Sequence, residues 1–387
     1  MPALFEAPVL ARGFRPFFLL GALYASFSIF VWSGFYAGWT APLSVFSDPV
    51  FWHAHEMVYG FVMAIVAGFL LTAVANWTGG APARQIHLAA LCLLWLAGRL
   101  AVNTDILPLA TAAVVDCAFL PALAVSLAIP LLRSRSRRNF VFLGLLSLLF
   151  ACNAAFYLTE NMTALYVALL VVLSMISLIG GRVIPAFTVA ALRRSGREVF
   201  QTDQPKKDIL ALASLFTLIL CTVLIGPDHA LTGGVALLSS FIHALRMRVY
   251  HTRLVWRDPM LWILHLGYGW LVAALFLMSL AGVSLVPLTI ALHAATAGAI
   301  GSMTIGMMCR VALGHTGRNL IASKMTVFMF VLIQGAAFLR IFGPLFMPDA
   351  HPVWVTVSGI LWGAGFGSYA LFYGPVLWSP RPDGRPA

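Results

Sequence analysis

His53 and His55 stand two positions apart at the start of an apolar run, in PVFWHAHEMVYGF, and His243, His265 and His293 sit within other apolar runs. Neutral imidazole is the commonest ligand to copper and haem iron. Two histidines on facing helices can grip a b-type haem, and two or three with an open position can hold copper. A single histidine in oil is ordinarily a hydrogen-bonded packing residue. Five are harder to read that way, because polar groups at membrane depth are costly and mark pathways or cofactors. Residues two apart diverge by roughly 200° around a helix. His53 and His55 therefore serve separate centres, unless an irregular first turn brings both rings to one copper ion.

Neighbouring polar residues extend the chemistry. Glu56 follows His53 by three positions and shares its face, which makes it a candidate for fixing a ring tautomer or accepting a proton near a metal. The alternative is a carboxylate wetted at the membrane margin. Tyr59, four residues after His55, is a candidate proton donor to the same site or an interfacial packing residue. Arg99, Arg182, Arg310 and Arg340 are embedded in apolar runs. A guanidinium fork matches a carboxylate in two bonds, so all four are candidate partners of haem propionates. The alternative is snorkelling to headgroups or pairing with Asp116 or another acid. After His293 come Ala294, Ala297, Gly298, Gly301 and Gly306, small residues that admit either a neighbouring helix or a flat porphyrin.

The elements that must position these residues follow from composition. Of 387 residues 61% are apolar and 10% charged, with mean hydropathy +0.93. That leaves too little charge to coat a water-soluble surface, so lipid is the solvent. The net charge of +11 is spread between apolar runs rather than gathered in a tail or stripe, which excludes nucleic-acid binding as the main role. The five cysteines lie in apolar stretches without a CxxC pair, which argues against disulfides, a thiolate zinc site and c-type haem.

Twelve apolar runs are long enough to span: 14–38, 49–75, 85–103, 107–132, 139–159, 162–191, 207–226, 229–249, 259–281, 285–312, 322–346 and 352–378. The expectation is an all-α, polytopic integral membrane bundle forming a single domain over 1–378, with a disordered cytoplasmic tail at 379–387. The start has no cleavable signal pattern. Arginines and lysines cluster in alternate connections, including Arg133, Arg135, Arg137 and Arg138, while the other connections hold Asp48, Asp105, Glu160, Asp228 and Asp349. Both termini are accordingly expected in the cytoplasm. His53, His55 and His293 would then form an outer layer, and His243 and His265 an inner one.

GFRPFF at 13–18, WHAHEM at 52–57, NWTG at 76–79, GGRVIPAFT at 180–188, HLGYGWL at 265–271 and RVALGHTGR at 310–318 together resemble the NnrS family. The resemblance implies a twelve-helix bacterial inner-membrane protein that carries haem and copper and helps resist nitrosative stress. It points to His53, His55, His265 and His315, and less directly to His243 and His293, without assigning either metal. His315, in LGHTGR, also suits a plain cap or hinge between Gly314 and Gly317. The expectation is thus a haem b and copper protein acting on nitric oxide or its adducts, with an electron donor the sequence does not name and catalytic turnover left open. Alternatives are a proton-coupled secondary transporter, against which stands the lack of an obvious repeat between the two halves, and an assembly factor for a respiratory enzyme.

Overall fold

The computed structural model describes residues 6–40 and 44–385. The first five residues, and Pro386 and Ala387 at the end of the expected tail, lie outside the described residues. Among the described residues, twelve helices are long and apolar enough to cross a membrane. They are α1 Phe14–Tyr36, α2 Pro49–Thr78, α3 Gln85–Val102, α4 Leu109–Arg133, α5 Arg137–Thr159, α6 Met162–Arg194, α7 Pro205–Ile225, α8 Ala230–Met247, α9 Pro259–Ala281, α10 Leu288–His315, α11 Lys324–Phe346 and α12 Pro348–Trp378. Each lies within four residues of an expected run. Among the described residues there is no strand; the backbone is satisfied within helices, one of the two solutions that lipid allows. The chain is a multi-pass, all-helical membrane protein.

Local signals set the helix ends. The Asp48 carboxylate accepts from Val50 N at 2.7 Å with Pro49 in the first turn, and Asp258 repeats the device with Met260 N at 2.9 Å and Pro259. Side-chain oxygens at this position satisfy amides the helix leaves open, and proline has no amide to satisfy. At the far ends of α2 and α10, Gly79 (φ +63°) and Gly317 (φ +72°) take the left-handed conformation that glycine enters without strain.

The described residues gather into two compact units. Unit 1 comprises residues 1–168, 308–320 and 363–387; unit 2 comprises 169–307 and 321–362. The tail differs from expectation, because its described part is held in unit 1. Arg15 Nη1 donates to Ser379 O at 2.8 Å, and Arg381 Nη1 donates to His315 O at 3.0 Å.

Two spans are interrupted. In α2 the segment Glu56–Val62 is a π-helix, and in α10 so is Ala294–Ile300. Such wide turns are rare and are frequent at functional sites. Each begins directly after a histidine, His55 or His293. The register match goes further. With Pro49 laid on Pro287, His55 meets His293, Gly60 meets Gly298, Gly68 meets Gly306, Thr78 meets Thr316 and Gly79 meets Gly317.

The preceding partner helices match as well. A side chain added at Gly60 would strike Tyr24, and one at Gly298 would strike Trp270. Gly21 faces Ile65 as Gly267 faces Met303, and Gly68 faces Phe17 and Phe18 as Gly306 faces Ile263 and Leu264. Helix pair α1–α2 and helix pair α9–α10 are copies of one packing unit. The copies are the first and ninth spans and their successors, so the repeat is local and does not relate the two halves of the chain.

Candidate functional site

The polar core of unit 1 is an ion-pair array contributed by five helices and the residue after one of them. Arg99 on α3 lies between two acids: its Nη1 donates to Glu56 Oε1 at 2.5 Å, and its Nη2 to Asp116 Oδ1 on α4. Glu56 Oε2 takes the Tyr24 hydroxyl from α1 and the Asn103 amide at 3.0 Å. Asp116 Oδ2 takes the Asn153 amide at 2.8 Å and the Tyr157 hydroxyl at 3.2 Å, both from α5. His55 closes the ring. Its Nδ1 is 2.8 Å from Glu56 Oε1, and its Nε2 is 2.9 Å from Asn153 Oδ1 and 3.3 Å from Asp116 Oδ2.

His55, Glu56, Arg99 and Asp116 are all buried. Buried charges persist only when paired and hydrogen-bonded. Both His55 nitrogens face oxygen acceptors, so a doubly protonated ring satisfies them and balances two carboxylates against two cations.

This geometry corrects several expectations. The first turn of α2 is regular, so His53 and His55 diverge: His53 stacks on Trp32 at 4.2 Å with rings 5° apart, while His55 sits against Phe46, Phe156 and Tyr59. Glu56 joins His55 rather than His53. Its oxygens accept from four donors, which suits a permanently ionised structural carboxylate better than a proton acceptor. Tyr59 donates to Leu149 O at 3.0 Å, away from the ion pairs. Arg99 pairs with acids of the chain, the alternative weighed against a propionate partner. Sequence reasoning passed over Tyr24, Asn103, Asn153 and Tyr157, although polar residues in apolar runs were signal enough.

Unit 2 holds a second polar core. Arg246 on α8 donates through Nε to Asp208 at 2.7 Å, and through Nη1 to Ser177 O at 2.7 Å and Tyr268 OH at 3.0 Å. Gly181 on α6 makes room for this guanidinium, since any side chain there would overlap it. His243 Nδ1 donates to Ser239 O at 2.8 Å, and its Nε2 accepts from Ser177 Oγ at 3.0 Å. His265 is separate. Thr188 spends its proton on Ile184 O, so His265 Nε2 donates to Thr188 Oγ1 at 2.9 Å and Nδ1 accepts from Thr252 at 3.0 Å.

His243 and His265 thus have different partners. His293 on α10 has Nδ1 2.6 Å from Thr289 O, one turn back. His315 ends α10 in unit 1, its ring 5.8 Å from Phe14. That placement, with Gly317 at positive φ and Arg381 on its carbonyl, fits the cap-and-turn reading. Arg310 is buried on α10, and Arg182 and Arg340 are half-buried on α6 and α11.

Which of these residues suit a metal group differs by site. Among the described residues no cluster of three or more His, Cys, Asp or Glu is placed to hold a metal ion, so of the two- and three-histidine copper sites expected, the three-histidine one is not preformed. His55 is committed to its ion pairs. A haem fits better in unit 2. His265 and Thr252 line a cavity of about 260 Å³ with Trp256, Trp262, Trp270 and Gln334. Four of those residues also line an adjoining groove of about 710 Å³ toward Phe338. A largely apolar cleft with one imidazole at its wall is the kind of donor set a porphyrin uses. His243 and His293 carry the carbonyl-pinned Nδ1 that orients ligating imidazoles.

In comparison with known proteins, a family model described as NnrS protein matches residues 8–381, nearly the whole chain. No curated protein matches it.

Proposed function

The chain belongs to the NnrS family, which links it to nitric-oxide-related function, and we propose that it is a haem b-binding protein of the bacterial inner membrane acting on nitric oxide or its adducts. The observation that carries the haem assignment is His265 at the wall of the tryptophan-lined cleft of unit 2. His265 would hold the haem there, and the iron would supply a binding site for nitric oxide.

The residues of the chain do the rest. Thr188 fixes the His265 tautomer so that Nδ1 carries the lone pair, and Thr252 donates to that nitrogen. Trp256, Trp262 and Trp270 line the cleft with apolar surface, and Trp270 Nε1 is itself anchored on Gln334 at 3.0 Å. In unit 1 the array around Arg99 holds Glu56 and Asp116 in ion pairs, with the His55 ring bridging them. Redox turnover would need an external electron donor.

Metal analysis of the purified protein and a difference spectrum on adding nitric oxide to the dithionite-reduced form test the reading. Stoichiometric iron and a shifted haem band are expected. Absence of iron overturns the reading, and copper without iron would return the assignment to the other histidines.

A second reading, a proton-coupled transporter, is favoured by one observation: the repeated helix pair, a device common in transporters. Substrate-dependent proton uptake into proteoliposomes, in protein free of haem, would select it.

A further inference from the structure

Unit 1 carries, at the end of its helices opposite the Arg99 array, a concentration of cations that its own acids do not balance. Arg12, just before α1, and Arg84, just before α3, line a cavity of about 470 Å³ together with Arg381 and Arg385 of the tail. The one acid among the lining residues is Glu6. Asp383 lies beside the cavity but is consumed by the tail's own turn, accepting from Arg381 Nε at 2.9 Å and Nη2 at 2.5 Å and from Arg385 N at 3.3 Å.

Two guanidiniums are underused. Arg15, next to this group on α1, is fully buried. Its Nη1 serves Leu377 O and Ser379 O, while Nε and Nη2 are buried without a hydrogen-bond partner among the described residues. Arg12 Nε is likewise buried and unpartnered. Leaving charged donors unsatisfied is costly, and burial together with the neighbouring Arg381 pulls the Arg12 guanidinium below its usual pKa. The tail is shaped to present its cations rather than to trail away. Gly384 N donates to Arg381 O at 3.2 Å, and Arg381 is anchored on His315 O.

We propose that this cavity binds a phosphate-bearing anion, held by Arg12, Arg84, Arg381 and Arg385 and backed by the buried Arg15. Guanidinium forks match phosphate oxygens in paired bonds, and the volume lies in the range of small-ligand pockets. By the distribution of basic residues this end faces the cytoplasm. The phosphate is therefore either that of a soluble cytoplasmic molecule or that of an anionic lipid headgroup.

The full-length protein in nanodiscs tests this. Inorganic pyrophosphate is titrated by calorimetry in phosphatidylcholine discs, and retained lipid is read by native mass spectrometry after exchange into phosphatidylglycerol discs. Arg12→Gln with Arg381→Gln should weaken at least one of these at least tenfold. Arg133→Gln with Arg135→Gln, which removes equal charge from another connection, should change it less than twofold. Pyrophosphate binding identifies the soluble source and retained phosphatidylglycerol the lipid source.

Phenylglyoxal modification of the unaltered protein guards against a variant that fails to fold. Arg12 and Arg381 should be protected by pyrophosphate or by phosphatidylglycerol discs, while Arg133 is not. Binding of neither probe, or equal losses in both variant pairs, overturns the proposal.

Discussion

Arg99 is the pivot of unit 1, and the account makes a sharp demand on it. Removing one partner from a buried ion-pair array leaves the others uncompensated, at a cost of about 3–5 kcal/mol. Arg99→Leu should therefore lower unfolding free energy in detergent by that order, and Asp116→Asn by less, because an amide still accepts from Arg99. Loss of under 1 kcal/mol in Arg99→Leu would show that the array does not hold unit 1 together. Arg99→Lys should recover only part, since an ammonium cannot span both carboxylates as a fork does.

The histidines were legible as residue types in the wrong medium, but their partners were not. Asp116 entered only as an alternative partner for Arg99. Nothing in WHAHEM says that His55 will turn to Asn153 and Glu56 while His53 stacks on Trp32; those choices depend on which helices surround α2.

Helices were the most readable layer, because twelve apolar runs between charged connections leave the backbone no other solution in lipid. The π segments were hidden. A π turn adds a residue to one turn without changing composition, so Glu56–Val62 and Ala294–Ile300 read as ordinary helix. The repeat was hidden by distance and by sparse identity: it preserves a proline, a histidine, glycines and a Thr-Gly end while replacing Glu56 by Ala294 and Tyr24 by Trp270.

Its packing role is testable. Gly60→Ile and Gly298→Ile each force a side chain into an aromatic ring of the partner helix, and overpacking of this kind costs about 1–3 kcal/mol. Gly144→Ala on α5 meets nothing within 4 Å and should stabilise by up to about 1 kcal/mol. Unfolding of the three variants in one detergent checks the contrast. Equal effects at Gly60 and Gly144 would deny the close approach.

At the level of the whole chain, orientation follows from charge. Cysteines introduced singly at Arg135 and Asp228, in a background lacking the five native cysteines, should label from opposite sides in sealed cells. Asp228 should react with an impermeant maleimide and Arg135 only after lysis. The reverse pattern would invert the topology and place the arginine-lined cavity outside.

The family match supplies the link to nitric oxide, and the proposed haem site depends on the His265 imidazole and its cleft. The most direct measurement is the visible absorption spectrum of the purified protein beside that of His265→Ala, both folded by circular dichroism and size exclusion. A Soret band in the first that is absent or strongly diminished in the second is the predicted result. An unchanged Soret band in His265→Ala, or none in either protein, contradicts it.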